Sequence, residues 1–154
     1  MHILASQHLI TLSLDVGFNA TTTSGKMPTG VRRIAPVNGG VFSGVRLNGT
    51  VLAGGADWVI FRPAGVMLID VRLTLRTGDA ALIYLTYQGR FLASPEAMSR
   101  FAKGELLDPQ DYSLVVTAKF ECGTERYRWL NDVIAVGTGM QTLGGPIYDF
   151  HEIG

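Results

Sequence analysis

Nineteen glycines are spread along this chain of 154 residues, and they fall singly or in pairs between short apolar runs. They include Gly39-Gly40, Gly54-Gly55, Gly78, Gly89, Gly137, Gly139 and Gly144-Gly145. Glycine at this spacing is typical of the turns and bulges that separate β-strands, because it enters positive-φ backbone conformations without strain. The spacing therefore predicts an all-β protein.

Residues 66–76, VMLIDVRLTLR, form the clearest predicted strand. Successive side chains of a strand point to opposite faces. One face is therefore apolar throughout and consists of Met67, Ile69, Val71, Leu73 and Leu75. Asp70 and Arg72 share the other face, where two interpretations stay open. They form either an exposed ion pair, worth well under about 1 kcal/mol, or the wall of a polar-lined pocket.

Further strands are predicted over residues 2–18, 31–36, 40–53, 56–62, 80–87, 112–121, 127–137 and 146–153, with a loop over 19–30. One short helix is predicted near 95–104, where Ser94 can cap it and Pro95 suits its first turn. Eight or more strands with one short helix predict a single antiparallel β-barrel domain over residues 1–154. A two-sheet sandwich is the alternative. A barrel of about eight strands can hold one small ligand.

The charge pattern and the termini restrict the partners and the compartment. Thirteen basic residues balance thirteen acidic ones and no basic run occurs, so we expect no nucleic-acid partner. No apolar run approaches the roughly 20 residues of a membrane helix, so we expect no membrane partner. The N-terminus lacks a positively charged leader and a small-residue cleavage site, and we therefore expect a cytoplasmic protein.

The sequence contains no motif that is typical of a metal site or a cofactor site. His2, His8 and His151 lack ligand spacing, and Cys122 has no second cysteine to pair with. The GGADW stretch at 54–58 follows a strand but opens no helix, so it does not match a phosphate-binding loop. We therefore expect no metal and no cofactor.

Carboxylates that lie near cations and aromatic residues in the sequence remain as candidates for catalysis and substrate binding. Asp57, Arg72 and Glu121 are the predicted catalytic residues, because a partly buried carboxyl exchanges protons near neutrality and an arginine polarises an oxygen. Asp70 would position Arg72. The predicted substrate-binding residues are Trp58, Asp70, Tyr84, Tyr127, Trp129 and Asn131, and Tyr87 is a further candidate for an aromatic wall. The alternatives are a solvated face for Glu121, core positions for both tryptophans and a turn cap for Asn131.

The ordered set of these residues resembles a known family, domain of unknown function 3237, also described as UPF0311-like. The matching positions are Arg32 or Arg33, Gly39-Gly40, Gly54-Gly55 with Asp57-Trp58, Asp70 with Arg72, Phe120-Glu121, Tyr127, and Trp129-Leu130-Asn131. The resemblance runs from about residue 30 to residue 153. It adds Arg33 to the substrate-binding residues and implies that Asp57, Asp70, Arg72 and Glu121 face one cavity.

The resemblance implies a small β-barrel akin to those of allene oxide cyclases and dirigent proteins, which act on apolar substrates without a cofactor. The chain departs from the family at Leu114-Val115-Val116, where an arginine is usual, and at Gly78-Asp79-Ala80, where an Asp-Asp-Gly-like turn is usual. A less cationic cavity favours an aromatic or terpenoid-like substrate. We therefore expect a cofactor-independent isomerase, cyclase or lyase that acts by proton transfer on a small apolar or aromatic carbonyl compound. A non-catalytic binding barrel is the alternative, and a homo-oligomer is expected because barrel relatives often associate.

Overall fold

The computed structural model describes all 154 residues and contains ten β-strands. The strands are β1 (Ser6–Val16), β2 (Thr22–Met27), β3 (Gly30–Ser43), β4 (Gly49–Val51), β5 (Gly55–Arg62), β6 (Val66–Thr77), β7 (Leu82–Ala93), β8 (Tyr112–Glu121), β9 (Ile134–Met140) and β10 (Ile147–Ile153). One α-helix, α1 (Pro95–Ala102), follows β7. Three 3-10 segments cover Phe18–Ala20, Pro109–Asp111 and Glu125–Asp132.

Eight of the strands close into an antiparallel barrel, which confirms the predicted fold class. The order runs β1, β10, β9, β8, β7, β6, β5 and β3, and β3 then pairs with β1 to complete the circle. The short strand β4 lies between β3 and β6 beyond the end of β5. Strand β2 pairs with the end of β3 that β1 does not reach. Each of the eight barrel strands therefore has two neighbours, and β2 is the edge strand of the sheet.

The predicted alternation along β6 is confirmed, because its odd-numbered residues face the inside of the barrel. Met67, Ile69, Val71, Leu73 and Leu75 are all buried. Asp70 and Arg72 lie on the outer face, where Asp70 is half-buried and Arg72 is exposed. The strand thus divides an apolar interior from an outer face on which its charged residues lie.

The predicted helix is present and begins as the sequence suggests. Ser94 is its N-cap, and the Ser94 hydroxyl accepts a hydrogen bond from the Ala97 N–H at 3.1 Å. It ends after Ala102, two residues before Gly104, which has a φ of +86°. None of the helices is long and apolar enough to cross a membrane.

The prediction of a loop over residues 19–30 is wrong for most of that segment. Thr22–Met27 form β2, which pairs with β3 from Thr22 opposite Ile34 to Met27 opposite Gly30. Most side chains of this strand are exposed. The pairing of its backbone therefore holds it in the sheet, and the small polar side chains gave no apolar alternation from which to predict a strand.

The prediction of a strand over residues 127–137 is also wrong in its first half. Glu125–Asp132 form a 3-10 segment, and β9 begins only at Ile134. Tyr127 and Leu130, three residues apart, are both buried. This spacing matches one turn of a 3-10 helix, in which residues i and i+3 lie on one side.

Several of the glycines lie inside strands and do not interrupt them as predicted, namely Gly39, Gly40, Gly89, Gly137 and Gly139. Strand β3 runs without a break through Gly39-Gly40 and joins the predicted strand at 31–36 to the start of the one at 40–53. The rest of the second prediction is wrong at residues 44–48, which are not strand, and β4 follows at Gly49–Val51. Strand β7 extends past Tyr87 and through Gly89 to Ala93.

Candidate functional site

One end of the barrel encloses a cavity of about 570 Å³. Inward-facing side chains of the strands form its walls, and most of its lining residues are hydrophobic. Three segments form the rim: the loop after β1 with Phe18 and Asn19, the end of α1 with Phe101 and Lys103, and the β9–β10 loop with Leu143. This volume lies in the range of small-molecule sites.

The other end of the barrel is filled by its own side chains. Leu75, Ile83 and Leu85 are fully buried there, and Leu73 and Phe120 are nearly so. Tyr87, Tyr148 and Phe150 separate this packed half from the cavity. The ring centroid of Tyr87 lies 5.1 Å from that of Tyr148 and 5.5 Å from that of Phe150. The cavity therefore has an aromatic floor and opens at one end only.

Two glycines of β9 make room for this aromatic floor. Gly139 pairs with Tyr148 and Gly137 pairs with Phe150. A Cβ atom at Gly139 would lie 2.8 Å from Tyr148 Cε1, and one at Gly137 would lie 2.7 Å from Phe150 Cε1. Both distances are too short for a side chain. The glycines thus set the position of the rings, whereas the sequence pattern had suggested only separators between strands.

Asp57 is the one acidic residue that lines the cavity, and it lies at a break in the β5–β6 ladder. The two strands pair at Asp57–Val71 and again at Ile60–Leu68, but not between these pairs. In the gap the Asp70 N–H donates to Asp57 Oδ1 at 3.0 Å. The carboxylate thus replaces a backbone carbonyl as the acceptor.

The second backbone group in this gap also has a side-chain partner. The Trp58 carbonyl accepts a hydrogen bond from Arg32 Nη1 at 2.7 Å. Buried backbone groups need partners, and here Asp57 and Arg32 supply them from the inner and outer sides of the wall. The side chain of Asp57 is therefore fixed in place by the wall that carries it.

Burial raises the pKa of the Asp57 carboxyl to about 7. The Asp70 N–H bond opposes this rise, and the nearby negative charge of Asp70 adds to it. Protein atoms surround the carboxyl group except where it faces the cavity, so burial is the dominant cause. A carboxyl with such a pKa is present both ionised and protonated at neutral pH.

Arg33 and Lys103 are the cations of the cavity. The Arg33 guanidinium lies 5.0 Å from the centroid of the Phe61 ring, within the range of a cation–π contact. Arg33 faces Val59 across the β3–β5 pair, two residues nearer the rim than Asp57, which pairs with Ala35. Lys103 follows α1 at the rim itself. Positive charge therefore lies near the mouth and the carboxyl lies deeper.

Asp57 and Arg33 are the predicted site residues that the structure places together in this cavity. Trp58, Asp70 and Arg72 lie instead on the outer face of the same wall, because each is one position out of phase with an inward-facing residue. Asp70 accepts a long hydrogen bond from Gln88 at 3.4 Å, and the Arg72 guanidinium lies 5.5 Å from the Trp58 ring centroid. The implied grouping of Asp70 and Arg72 with Asp57 in one cavity is therefore corrected.

The other predicted site residues lie at or beyond the packed end of the barrel. Tyr84 and Glu121 pair on the outer face of β7 and β8, and both are exposed. The Asn131 side chain accepts a hydrogen bond from the Cys122 N–H and donates one to the Cys122 carbonyl at 2.8 Å, so it holds a turn together. Glu121 is thus separated from Asp57 by the filled half of the barrel.

Tyr127 and Trp129 belong to the 3-10 segment at that same end. The Tyr127 hydroxyl donates to Asp79 Oδ1 at 2.9 Å. The ring of Trp129 packs under the Arg46 guanidinium, 4.2 Å from its centroid. Neither side chain reaches the cavity.

Tyr87, a candidate for the aromatic wall of a pocket, does line the cavity, and Tyr148 is a cavity residue that was not predicted. Tyr87 lies two and four residues after Leu85 and Ile83 and so shares their face of β7, which indicated the interior of the barrel. Tyr84 lies on the opposite face. Tyr148 shares a face of β10 with Phe150 in the same way. The signal was therefore present in each strand, but two aromatic residues in phase with apolar neighbours look like ordinary core.

The fold and the sequence both have known counterparts. A UPF0311 protein of Rhodopseudomonas palustris is 29% identical over 150 residues, which cover 97% of either chain. The crystal structure of a beta-barrel like protein from Acinetobacter baumannii is 36% identical, with a TM-score of 0.85 over 100% of this chain and 98% of that one. An enzyme from Penicillium herquei is 20% identical, with a TM-score of 0.74 over 98% and 95%, which shows a common fold.

A family model agrees with these matches. The model for a protein of unknown function, DUF3237, matches residues 5–153, which span all ten strands. The chain therefore belongs to the DUF3237 family.

Proposed function

We propose that this protein is a cofactor-independent isomerase, cyclase or lyase that transfers a proton within a small apolar or aromatic carbonyl compound. The observation that carries the proposal is the single carboxyl group of Asp57, held in an otherwise mostly apolar cavity of ligand size. A carboxyl in such surroundings is a suitable general base and acid.

The proposed step needs no redox partner. Ionised Asp57 removes a proton from the carbon next to the substrate's carbonyl, and the electrons of that C–H bond form a carbon–carbon double bond while the carbonyl oxygen takes the negative charge. In a substrate with a double bond β,γ to the carbonyl, protonated Asp57 then returns the proton to the γ carbon, the C=O bond re-forms and the carbon–carbon double bond moves into conjugation with it. The result is an isomer, and the carboxyl group ends as it began.

The remaining polar groups of the cavity suit substrate binding. Arg33 and Lys103 lie toward the mouth, where a cation attracts a carboxylate or a carbonyl substituent. The hydrocarbon part of the substrate would lie against Val59, Ile69 and Val71 on the wall. Arg33 is therefore proposed as a substrate-binding residue, with Asp57 as the group that transfers the proton.

A non-catalytic binding barrel is the second candidate. It is favoured by the placement of Arg72 and Glu121 outside the cavity, which leaves Asp57 without a second acid. The cavity itself favours either function over a purely structural role, because a structural barrel would be filled at both ends.

The enzyme and the binder are distinguished by hydrogen–deuterium exchange. The probe is 2-tetralone, a bicyclic ketone with acidic hydrogens next to its carbonyl, and NMR in D₂O measures its exchange. We expect the protein to accelerate exchange and Asp57→Asn to lower the rate about 100-fold or more, as for other general bases. The rate should rise with pH and level off above about 7, because only ionised Asp57 accepts the proton.

Asp149→Asn is the matched control, because Asp149 lies on the outer face of β10, where its carboxylate accepts a hydrogen bond from the Thr11 hydroxyl at 2.6 Å. It should exchange the probe at the wild-type rate. If 2-tetralone binds but exchanges no faster than in buffer, the binder is correct. If Asp57→Asn exchanges as fast as the wild type, Asp57 is not the base.

A further inference from the structure

We infer that the Tyr87 hydroxyl at the cavity floor donates a hydrogen bond to the carbonyl oxygen of the substrate, so that an aromatic ketone enters the cavity oxygen first. This inference rests on the proposed function. It adds the orientation of the substrate and the group that stabilises the charge on its oxygen.

The Tyr87 hydroxyl makes no hydrogen bond of normal distance and angle in the protein, although the Tyr148 hydroxyl lies next to it. The side chain is 1% exposed, yet it lines the cavity. Buried hydroxyl groups nearly always have partners, and leaving one without a partner destabilises a fold. A tyrosine in this position, where phenylalanine would fill the same space, indicates that the missing partner is a ligand.

The position of Tyr87 relative to Asp57 suits one substrate carbonyl. Asp57 pairs with Val71, and Val71 pairs with Tyr87, so the three side chains project into the barrel at the same level. Asp57 and Tyr87 are therefore two strand spacings apart, about 10 Å between their backbones. Both side chains line the same cavity. A carbonyl oxygen near Tyr87 would place its neighbouring carbon toward Asp57.

The chemical state of the floor fits hydrogen-bond donation. Burial raises the pKa of Tyr87 well above its usual value, and the neighbouring Tyr148 and the Asp57 charge raise it further. Burial and Asp57 raise the pKa of Tyr148 in the same sense. Both hydroxyl groups therefore keep their protons at neutral pH. A neutral donor that is fixed where charge develops stabilises an enolate oxygen.

The three levels of the cavity define a substrate class. The floor offers a donor for one oxygen, the wall offers apolar contacts and the Asp57 carboxyl, and the rim offers the cations Arg33 and Lys103. A matching molecule is an aromatic ketone, or its enol form, with hydrocarbon rings in the middle. An acidic or polar substituent at its far end would lie near Arg33.

A matched pair of ligands tests the donor. 2-Acetylnaphthalene carries a carbonyl oxygen, and 2-isopropenylnaphthalene has a CH₂ group in its place. Calorimetry of both ligands gives the preference for the ketone as a ratio of dissociation constants. We expect Tyr87→Phe to lower this ratio about two- to tenfold, the range of one hydrogen bond. The carbonyl ¹³C resonance of the ketone should move downfield on binding to the wild type and less on binding to the variant.

Tyr127→Phe is the matched control, because it also removes a buried hydroxyl, but at the packed end of the barrel. It should leave the ketone preference unchanged. The inference is overturned if Tyr87→Phe keeps the wild-type preference, if the carbonyl resonance does not move, or if neither ligand binds. If the preference is lost in Tyr87→Phe while 2-tetralone exchange is absent in the wild type, the donor is correct and the proposed enzyme is not.

Discussion

At the scale of single residues, Asp57 couples the chemistry of the cavity to the stability of the fold. The folded-state pKa of about 7 exceeds the ordinary value of 3.8, so the folded protein binds more protons than the unfolded one between these pH values. The free energy of unfolding contributed by Asp57 therefore falls as pH rises from about 4 to about 7, by about 1.4 kcal/mol for each unit of pKa difference. Asp57→Asn removes this dependence, while its amide oxygen still accepts the Asp70 N–H.

We therefore expect Asp57→Asn to match the wild type near pH 4 and to be more stable above pH 7. Urea unfolding at a series of pH values measures the difference, and Asp149→Asn serves as the exposed control. A difference that is constant across this range would show that Asp57 ionises as it does in an unfolded chain. A more stable variant would also show that its loss of exchange activity is not a loss of folding.

At the scale of elements, β9 sets the height of the cavity floor through its glycines. A methyl group at Gly139 would overlap both Leu114 and Tyr148. We expect Gly139→Ala to cost about 1–3 kcal/mol of unfolding free energy, the range for overpacked sites, and to displace the Tyr148 ring. Gly123→Ala is the control, because a Cβ atom there meets no atom within 4 Å. Equal stability of the two variants in urea would contradict this account.

The same scale shows what the sequence could and could not predict. Alternation within a strand correctly separated the apolar face of β6 from the face that carries Asp70 and Arg72, because side-chain direction along a strand follows from position alone, but it left open whether that second face lines a pocket. It could not assign β2, whose exposed threonines carry no apolar signal, nor the 3-10 turn at Tyr127 and Leu130. The site required a relation between strands: Asp57 and Asp70 lie on neighbouring strands in opposite phase, and only their pairing shows which carboxyl faces inward.

At the scale of the whole molecule, the barrel is hollow at one end and packed at the other, and matched substitutions can test this division. Ala35 lines the cavity beside Asp57, and Ala135 is fully buried outside the cavity. We expect Ala35→Leu to abolish binding of 2-acetylnaphthalene and to change stability by less than about 1 kcal/mol, since it fills free space. Ala135→Leu should cost about 1–3 kcal/mol and leave binding intact. Similar losses of stability in both variants, measured by urea unfolding, would contradict the division.

The division along the barrel axis also bears on how such a protein can change during evolution. Substitutions near the rim alter what the cavity accepts, while the side chains that hold the barrel closed lie at the far end and are left untouched. A new substrate can therefore be acquired without a large loss of stability. One scaffold of this kind is open to many small molecules, and chains that share its closed half are free to diverge in chemistry.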